Sequence, residues 1–209
     1  MLAETEITAL VLCGGAGTRM GGVDKPLQPI EKDGLTLPMV DHVIAALPQH
    51  SRLLISANRN IQTYQQRGFV ISDEEQLGSG PLLGVLGGLE SAETPWLLIC
   101  PGDMPFLAED WHNDIRQIAQ NASTKGTSTN AFVVHDGTRL QPLLCLIHSS
   151  CKENLRAYLQ TGEYSVHRWL SFIGSETVNY TNSEAFLNIN TSADLLARNH
   201  RADPANSNR

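Results

Sequence analysis

The stretch Leu12 to Leu27 reads LCGGAGTRMGGVDKPL, with five glycines, one arginine and one lysine directly after the apolar run Ile7 to Leu12. Glycine serves where the chain must take positive φ or let a ligand approach the main chain, and successive free amides form a concavity that attracts anions. These residue types therefore point to phosphate, with Arg19 and Lys25 as its cations. Two familiar phosphate loops fail on spacing. A Walker loop needs Ser or Thr after its lysine, and Lys25 is followed by Pro26; a dinucleotide fingerprint from Gly15 and Gly17 needs glycine where Met20 stands. A glycine-rich surface turn with no ligand is the bland alternative.

A second segment, CPGDMPFL at 100–107, follows the apolar run Trp96 to Cys100 and sets Asp103 between Pro101, Gly102 and Pro105. A rigid carboxylate near a phosphate loop suggests Mg²⁺, a hard cation that uses one or two carboxylates together with the substrate's own phosphates. Taken alone, Asp103 reads first as a turn-forming aspartate, and it is the convergence of the two loops that favours the metal reading. The glycine-rich GSGPLLGVLGGL, 78–89, suggests a helix whose small residues allow a close approach, by a flat ligand or by a packed neighbour. In FLNINT, 186–191, Asn188 and Asn190 are two apart, so on extended chain both amides face one side; Asn190 is a candidate metal ligand, or both are turn formers.

The elements that must position these groups follow from periodicity. Short β-branched runs at 7–12, 52–56, 69–71, 96–100, 131–135 and 142–147 alternate with segments of helical period, the pattern of an α/β fold with a mainly parallel sheet. Pro38 opens a helix with the apolar face Met39, Val40, Val43, Ile44 and Leu47; Trp111, Ile115, Ile118 and Ala119 mark a second; 149–162 is a third; Thr191 and Asp194 open a last one. The segment NASTKGTSTN, 121–130, reads as a polar loop. The expected organisation is a single domain over 1–198 and a disordered tail over 199–209. In an open parallel sheet ligands bind beyond the carboxyl ends of strands where the order reverses, and both the glycine loop and the Asp103 turn follow strands.

Composition narrows the partners. The net charge of −7 argues against a broad basic face for nucleic acid or an anionic membrane, so a phosphate ligand must be held locally. No membrane span or signal peptide is read, and the expectation is a cytoplasmic protein. Cys13, Cys100, Cys145 and Cys151 form no CxxC pair and read as small hydrophobes. None of the seven histidines falls in the glycine loop or the Asp103 turn, and each reads as structural.

Together these pieces resemble the molybdenum cofactor guanylyltransferase family, the MobA-like branch of the nucleotidyltransferases. LCGGAGTRMGGVDKPL is similar to its LxGGxxxRMGGxDK signature, SGPLLGVLGGL to its GPLxG segment, CPGDMPFL to its CPxDxP turn and FLNINT to its FxNxNT. The resemblance implies a Rossmann-like three-layer α/β sandwich that transfers GMP from GTP to molybdopterin, with Mg²⁺ as cofactor and pyrophosphate as product. It implies that Leu12, Cys13, Gly14 and Gly15 meet the nucleotide through the main chain, Lys25 its phosphates, Asp73 the guanosine, and Asp103 both nucleotide and metal. By the same resemblance Arg139 and Gln141, in HDGTRLQPLL, are candidates for the acceptor, and partners would be molybdenum-insertion proteins or molybdoenzyme chaperones. Arg139 reads alternatively as an ordinary hairpin-turn residue after Asp136 and Gly137. Cys13 departs from the family's alanine, Ser56 stands where an asparagine contacting guanosine is expected, and EKDGLTLPM reads as a surface insertion. A cytidylyltransferase and a non-catalytic nucleotide or cofactor carrier are the rival readings.

Overall fold

The computed structural model describes residues 1–14, 23–72, 80–126, 129–180 and 186. Its centre is β1 (Ile7–Leu12), where every side chain is buried. Alternate residues of this strand serve opposite layers, as the period of two requires. Ile7, Ala9 and Val11 pack with Val40 and Val43 of α1 (Met39–Ala45) and with Trp111 and Ile115 of α4 (Trp111–Thr124). Leu10 and Leu12 pack in the other layer with Leu82, Leu86 and Leu89 of α3 (Pro81–Ser91). That layer also holds α5 (Lys152–Gln160), through Leu155 and Leu159, and α6 (Val166–Phe172), through Trp169 and Leu170. The result is the three-layer α/β sandwich expected.

Seven strands lie in the order β5-β4-β1-β6-β8-β7-β9. Here β4 is Arg52–Ser56, β5 Phe69–Ile71, β6 Trp96–Pro101, β7 Ala131–His135, β8 Leu140–His148 and β9 Glu176–Asn179. Strands β5, β4, β1 and β6 are mutually parallel, β8 runs against β6 and β7, and β7 and β9 are parallel, so among the described strands of this sheet β8 alone is reversed. The chain leaves β1 toward β4 on one side and returns as β6 on the other. That reversal opens a crevice at the carboxyl ends of β1 and β6, where ligands of such sheets bind.

Several expectations need correction. The insertion is a β-hairpin, β2 (Pro29–Lys32) against β3 (Leu35–Pro38), turned by Asp33 and Gly34 at φ 54° and 77°. Its turn is exposed, but Ile30 packs with Met39 and Phe106, and Lys32 Nζ donates to the Leu107 carbonyl at 3.0 Å, so strand β2 braces the segment after Asp103. The polar loop at 121–130 begins late, because α4 runs to Thr124. The helix expected at 149–162 is a 3-10 turn over Ser149–Cys151 followed by α5. Strand β9, α2 (Ile61–Gln65) and α6 lack a sequence expectation. The helix at Thr191 and the tail at 199–209 lie outside the described residues.

Helix α3 lies on β1 and β4 at glycine distance. A Cβ on Gly84 would collide with Ser56 Oγ and stand 2.9 Å from Leu12 Cδ2, while one on Gly88 would stand 2.6 Å from Leu10 Cδ2. Overpacking a core costs about 1–3 kcal/mol, and valine brings little helix propensity to offset it. Gly84→Val should therefore lose about 1–3 kcal/mol in urea unfolding, and an unchanged midpoint would mean that the contact yields freely.

On α4, Arg116 binds the Leu2 carbonyl through Nε and NH2 at 3.1 and 2.6 Å, and its NH1 lies 3.4 Å from His112 Nδ1. Burial, then the Arg116 charge, lowers the His112 pKa from 6.5 to about 4. The unfolded chain takes up this proton first, so stability falls as pH drops from 6.5 to about 4, above which window the effect is absent and below which it is complete. The loss is on the order of 3 kcal/mol. Comparing urea unfolding of wild type and His112→Gln across that window checks it: the difference between them should change by this amount.

Candidate active site

The crevice is built by extending two strand ladders one residue past β1 and β6. Cys13 N donates to the Ser56 carbonyl at 2.8 Å, and Gly102 N donates to the Leu12 carbonyl at 2.9 Å. A Cβ on Gly102 would stand 2.7 Å from Cys13 Sγ and 3.2 Å from Pro26 Cβ, so the three turns meet only because residue 102 has no side chain. Pro26 is buried in a 3-10 turn, Lys25–Leu27, whose first residue is thereby aimed across the crevice. Lys25 Nζ reaches Asp103 Oδ2 at 2.5 Å, with the two side chains 17% and 24% exposed. The glycine-loop lysine and the aspartate of the second turn, 78 residues apart, are one site.

The start of α3 faces the same edge. Gly84 touches Ser56 and Leu12 at the strand ends, whereas Gly88, one turn on, touches Leu10 and Leu97 deeper in the sheet. The helix therefore begins at the carboxyl edge and runs inward, directing its N-terminal turn and positive dipole end to the crevice. Gly80, at φ 125°, and Pro81 at the first helical position make that start. Ser56 is buried with its hydroxyl against Gly84. A larger residue there would press on α3, a local reason for serine at this strand end.

The acceptor candidates sit on the β7–β8 turn, also at the carboxyl edge. Asp136 Oδ1 accepts from the Thr138 and Arg139 amides, both at 2.7 Å, and Oδ2 accepts from Gln141 Nε2 at 2.6 Å. Burial would raise the Asp136 carboxyl, but the Arg139 amide, the Gln141 side chain and the Thr138 amide outweigh it and hold the pKa below the usual range. Gln141 is thus buried in the turn's own scaffold, while the Arg139 side chain is 64% exposed. In β8, Val133 pairs with Cys145 but Val134 with Gln141, so a bulge holds 142–144. Pro142, which has no amide hydrogen to pair, stands in it.

Leu12, Cys13, Gly14, Lys25 and Asp103 are accordingly brought together, while Gly15, Arg19, Asp73, Asn188 and Asn190 lie outside the described residues. All four cysteines are buried and free. Burial pushes the thiols of Cys13, Cys100, Cys145 and Cys151 up, so they behave as small hydrophobes rather than nucleophiles. His42 bonds the Ile30 carbonyl, His50 meets Glu4, and His148 caps the turn before α5. Among the described residues no three His, Cys, Asp or Glu side chains converge to hold a metal ion. A lone aspartate suits Mg²⁺ shared with phosphate oxygens and does not suit a closed protein metal site. Sequence reasoning missed Asp24, Asn60 and Tyr64, which lie directly behind Lys25; the one signal was a carboxylate adjoining the lysine within the glycine-rich segment.

The family model described as "MobA-like NTP transferase domain" matches residues 9–177. The chain is 39% identical over 207 residues to a molybdenum cofactor guanylyltransferase of Cupriavidus pinatubonensis, covering 97% of this chain and all of that one. It is 37% identical to the protein of that name from Serratia proteamaculans, covering 91% and 93%. In fold it is similar to molybdopterin-guanine dinucleotide biosynthesis protein A from Archaeoglobus fulgidus, with TM-score 0.69, 18% identity, and 93% and 97% of the two chains covered. It is also similar to 2-C-methyl-D-erythritol 4-phosphate cytidylyltransferase from Thermus thermophilus, with TM-score 0.64, 14% identity, and 92% and 97% covered. With the crevice at the β1/β6 reversal, the lysine and aspartate that meet in it and these matches over nearly its whole length, the chain belongs to the MobA-like NTP transferase family.

Proposed function

We infer that the protein is a molybdenum cofactor guanylyltransferase, transferring GMP from GTP to the terminal phosphate of molybdopterin and releasing pyrophosphate. The observation that carries this is the Lys25–Asp103 contact, which joins a cation and a metal-competent carboxylate at the carboxyl ends of β1 and β6. In the reaction an acceptor phosphate oxygen forms a bond to the α-phosphorus of GTP while the bond from that phosphorus to the bridging oxygen breaks. The electron pair leaves with pyrophosphate. A phosphate monoester has its second pKa near about 6, so the acceptor is largely dianionic at neutral pH and needs no strong base. This accords with histidines that bond to the scaffold.

The chain's own work is then positioning and charge neutralisation. The Cys13–Gly14 main chain and the start of α3 offer amides to phosphate oxygens, and Arg19 with Lys25 offsets their charge. Mg²⁺, when bound on Asp103, neutralises phosphate charge and polarises the scissile linkage. Lys25 and Asp103 neutralise one another across 2.5 Å in the free protein. On binding, the lysine's partner becomes phosphate and the carboxylate's becomes the cation. Asp73 serves the guanosine, Asn190 adds to the metal shell, and Arg139 meets the second polyanion from the turn beyond β7. Gln141 acts indirectly, because its amide is committed to Asp136. No helix among the described residues is long and apolar enough to cross a membrane, in keeping with substrates drawn from the aqueous phase.

Pyrophosphate release measured with GTP, CTP or ATP in the presence of molybdopterin and Mg²⁺ tests the reading. Release with GTP is expected; release with CTP alone would replace the base, and none with any nucleotide would leave a carrier. Asp103→Ala should lower kcat by about 100-fold or more and abolish the response to added Mg²⁺. Normal turnover at low magnesium would remove Asp103 from the site. Lys25→Ala should raise KM for GTP by about tenfold, since a charged hydrogen bond contributes about 1.5–3 kcal/mol; an unchanged KM would show that the lysine does not meet the nucleotide.

A further inference from the structure

Behind Lys25 lies a buried polar cluster centred on Asp24, the aspartate that precedes the lysine in the glycine-rich motif and to which the transfer chemistry gives no role. Asp24 is 7% exposed, yet its carboxylate is fully engaged: Tyr64 donates its hydroxyl to Oδ1 at 2.9 Å and Asn60 Nδ2 donates to Oδ2 at 2.8 Å. Arg59 Nε stands 3.7 Å from Oδ2, and its NH2 donates to the Val23 carbonyl at 3.2 Å. The donors come from α2 and from the two residues before it, which follow β4 at the carboxyl edge. Tyr64 is wholly buried, in the same core cluster as Cys13. One phenol therefore lies in the core that holds the chain where it enters the glycine-rich segment, and hydrogen-bonds it where it leaves, at Asp24.

Two local costs are borne to make this arrangement. Asn60 occupies left-handed backbone at φ 50° and ψ 32°, a region costly for most side chains and tolerated best, after glycine, by asparagine and aspartate. It also stands at the N-cap of α2, where asparagine ordinarily accepts from the helix's first amides, yet it makes no such bond. Its amide is turned to Asp24 instead. This five-residue helix is anchored by buried Tyr64 and by the Asn60 carbonyl, which accepts from the Thr63 and Tyr64 amides, and not by a side-chain cap. The placement of Asp24 bears directly on the site, because Asp24 precedes Lys25 and stands at the N-cap position of the 3-10 turn on which Lys25 is presented, its carboxylate turned to Tyr64 and Asn60 instead of capping that turn.

We propose that Asp24, Tyr64 and Asn60 are positioning residues that fix the approach of Lys25 to the triphosphate. Their effect passes through Lys25 and not through a contact of their own with substrate. The proposal rests on the nucleotide reading above and predicts a coupling that a purely structural cluster would not show. Without the brace, Lys25 must be ordered when the nucleotide arrives, so affinity falls through the lysine alone.

The test is a double-mutant cycle on the full chain, reading the Kd of Mg²⁺-GTP by calorimetry and kcat and KM for GTP by pyrophosphate release. Tyr64→Phe keeps the ring and removes only the hydroxyl; it should weaken Kd and raise KM by about tenfold, the scale of one hydrogen bond to a charged group, with kcat changed less than about twofold. In a Lys25→Ala background the same substitution should change Kd less than about twofold. Asn60→Ala should behave alike and serves if Tyr64→Phe unfolds. An undiminished effect in the Lys25→Ala background, or no effect in wild type, overturns the positioning role. Wild-type protein that binds Mg²⁺-GTP and shows the coupling but turns over no nucleotide overturns the catalytic reading and leaves the positioning role standing. Absence of Mg²⁺-GTP binding to wild type overturns both.

Discussion

A lysine and an aspartate 78 residues apart meet because β1 and β6 are hydrogen-bonded neighbours whose paired ends lie level, Leu12 opposite Pro101. Everything at the site depends on that register. The Gly102 amide extends the ladder to Leu12, the missing side chain of Gly102 admits Cys13 and Pro26, and Pro26 seats the turn that carries Lys25. A slip of one residue would exchange the two buried faces of β1, moving Leu10 and Leu12 onto α1 and α4. The core on both sides of the sheet thus locks the geometry of the Lys25–Asp103 pair, and the pair needs no strength of its own. Partly exposed ion pairs contribute little to stability, so Lys25–Asp103 is better understood as a placement than as a staple.

The electrostatics follow from scale. A chain with 22 acidic and 15 basic residues repels polyanions at long range, but at physiological salt that field fades within about 8 Å. Within that distance the proposed nucleotide site would depend on local donors: strand-end amides, the start of α3 and a lysine whose charge is balanced by Asp103. Arg139 is exposed on a turn whose shape is set by the Asp136 carboxylate, with its Nε 3.9 Å from Oδ2, whereas Gln141 is buried and bonded to that carboxylate.

The sequence made the buried half of this fold legible. Runs such as Ile7–Leu12 and Trp96–Cys100 contain too many apolar residues in succession for anything but central strands, and their boundaries agree to within a residue. What it concealed depends on partners distant in the chain. Strand β8 reads like any other apolar run, and only its pairing with β6 and β7 makes it antiparallel. Strand β9 buries one residue, Val178, and so carries no alternation to detect. The Asp33-Gly34 pair is a strong hairpin signal between two short strands, yet the segment reads as an insertion until Phe106 and Leu107 are seen against it. At the site, residue types identified Lys25 and Asp103, whereas Tyr64 lies in a helix too short to show a period.

These differences explain why motif spacing reveals the chemistry better than the machinery that aims it. A phosphate loop must keep its glycines and its cation because substrate geometry dictates them. The residues that hold such a loop answer only to the surrounding packing and can come from any element that ends nearby. Here they come from the segment after β4, which the parallel pairing of β4 with β1 delivers to the carboxyl edge beside Cys13. Across the crevice the β2–β3 hairpin does the same for the segment after Asp103 through Lys32 and Ile30. Lysine and aspartate are thus each backed by a neighbouring element, and the sheet register between them sets the gap.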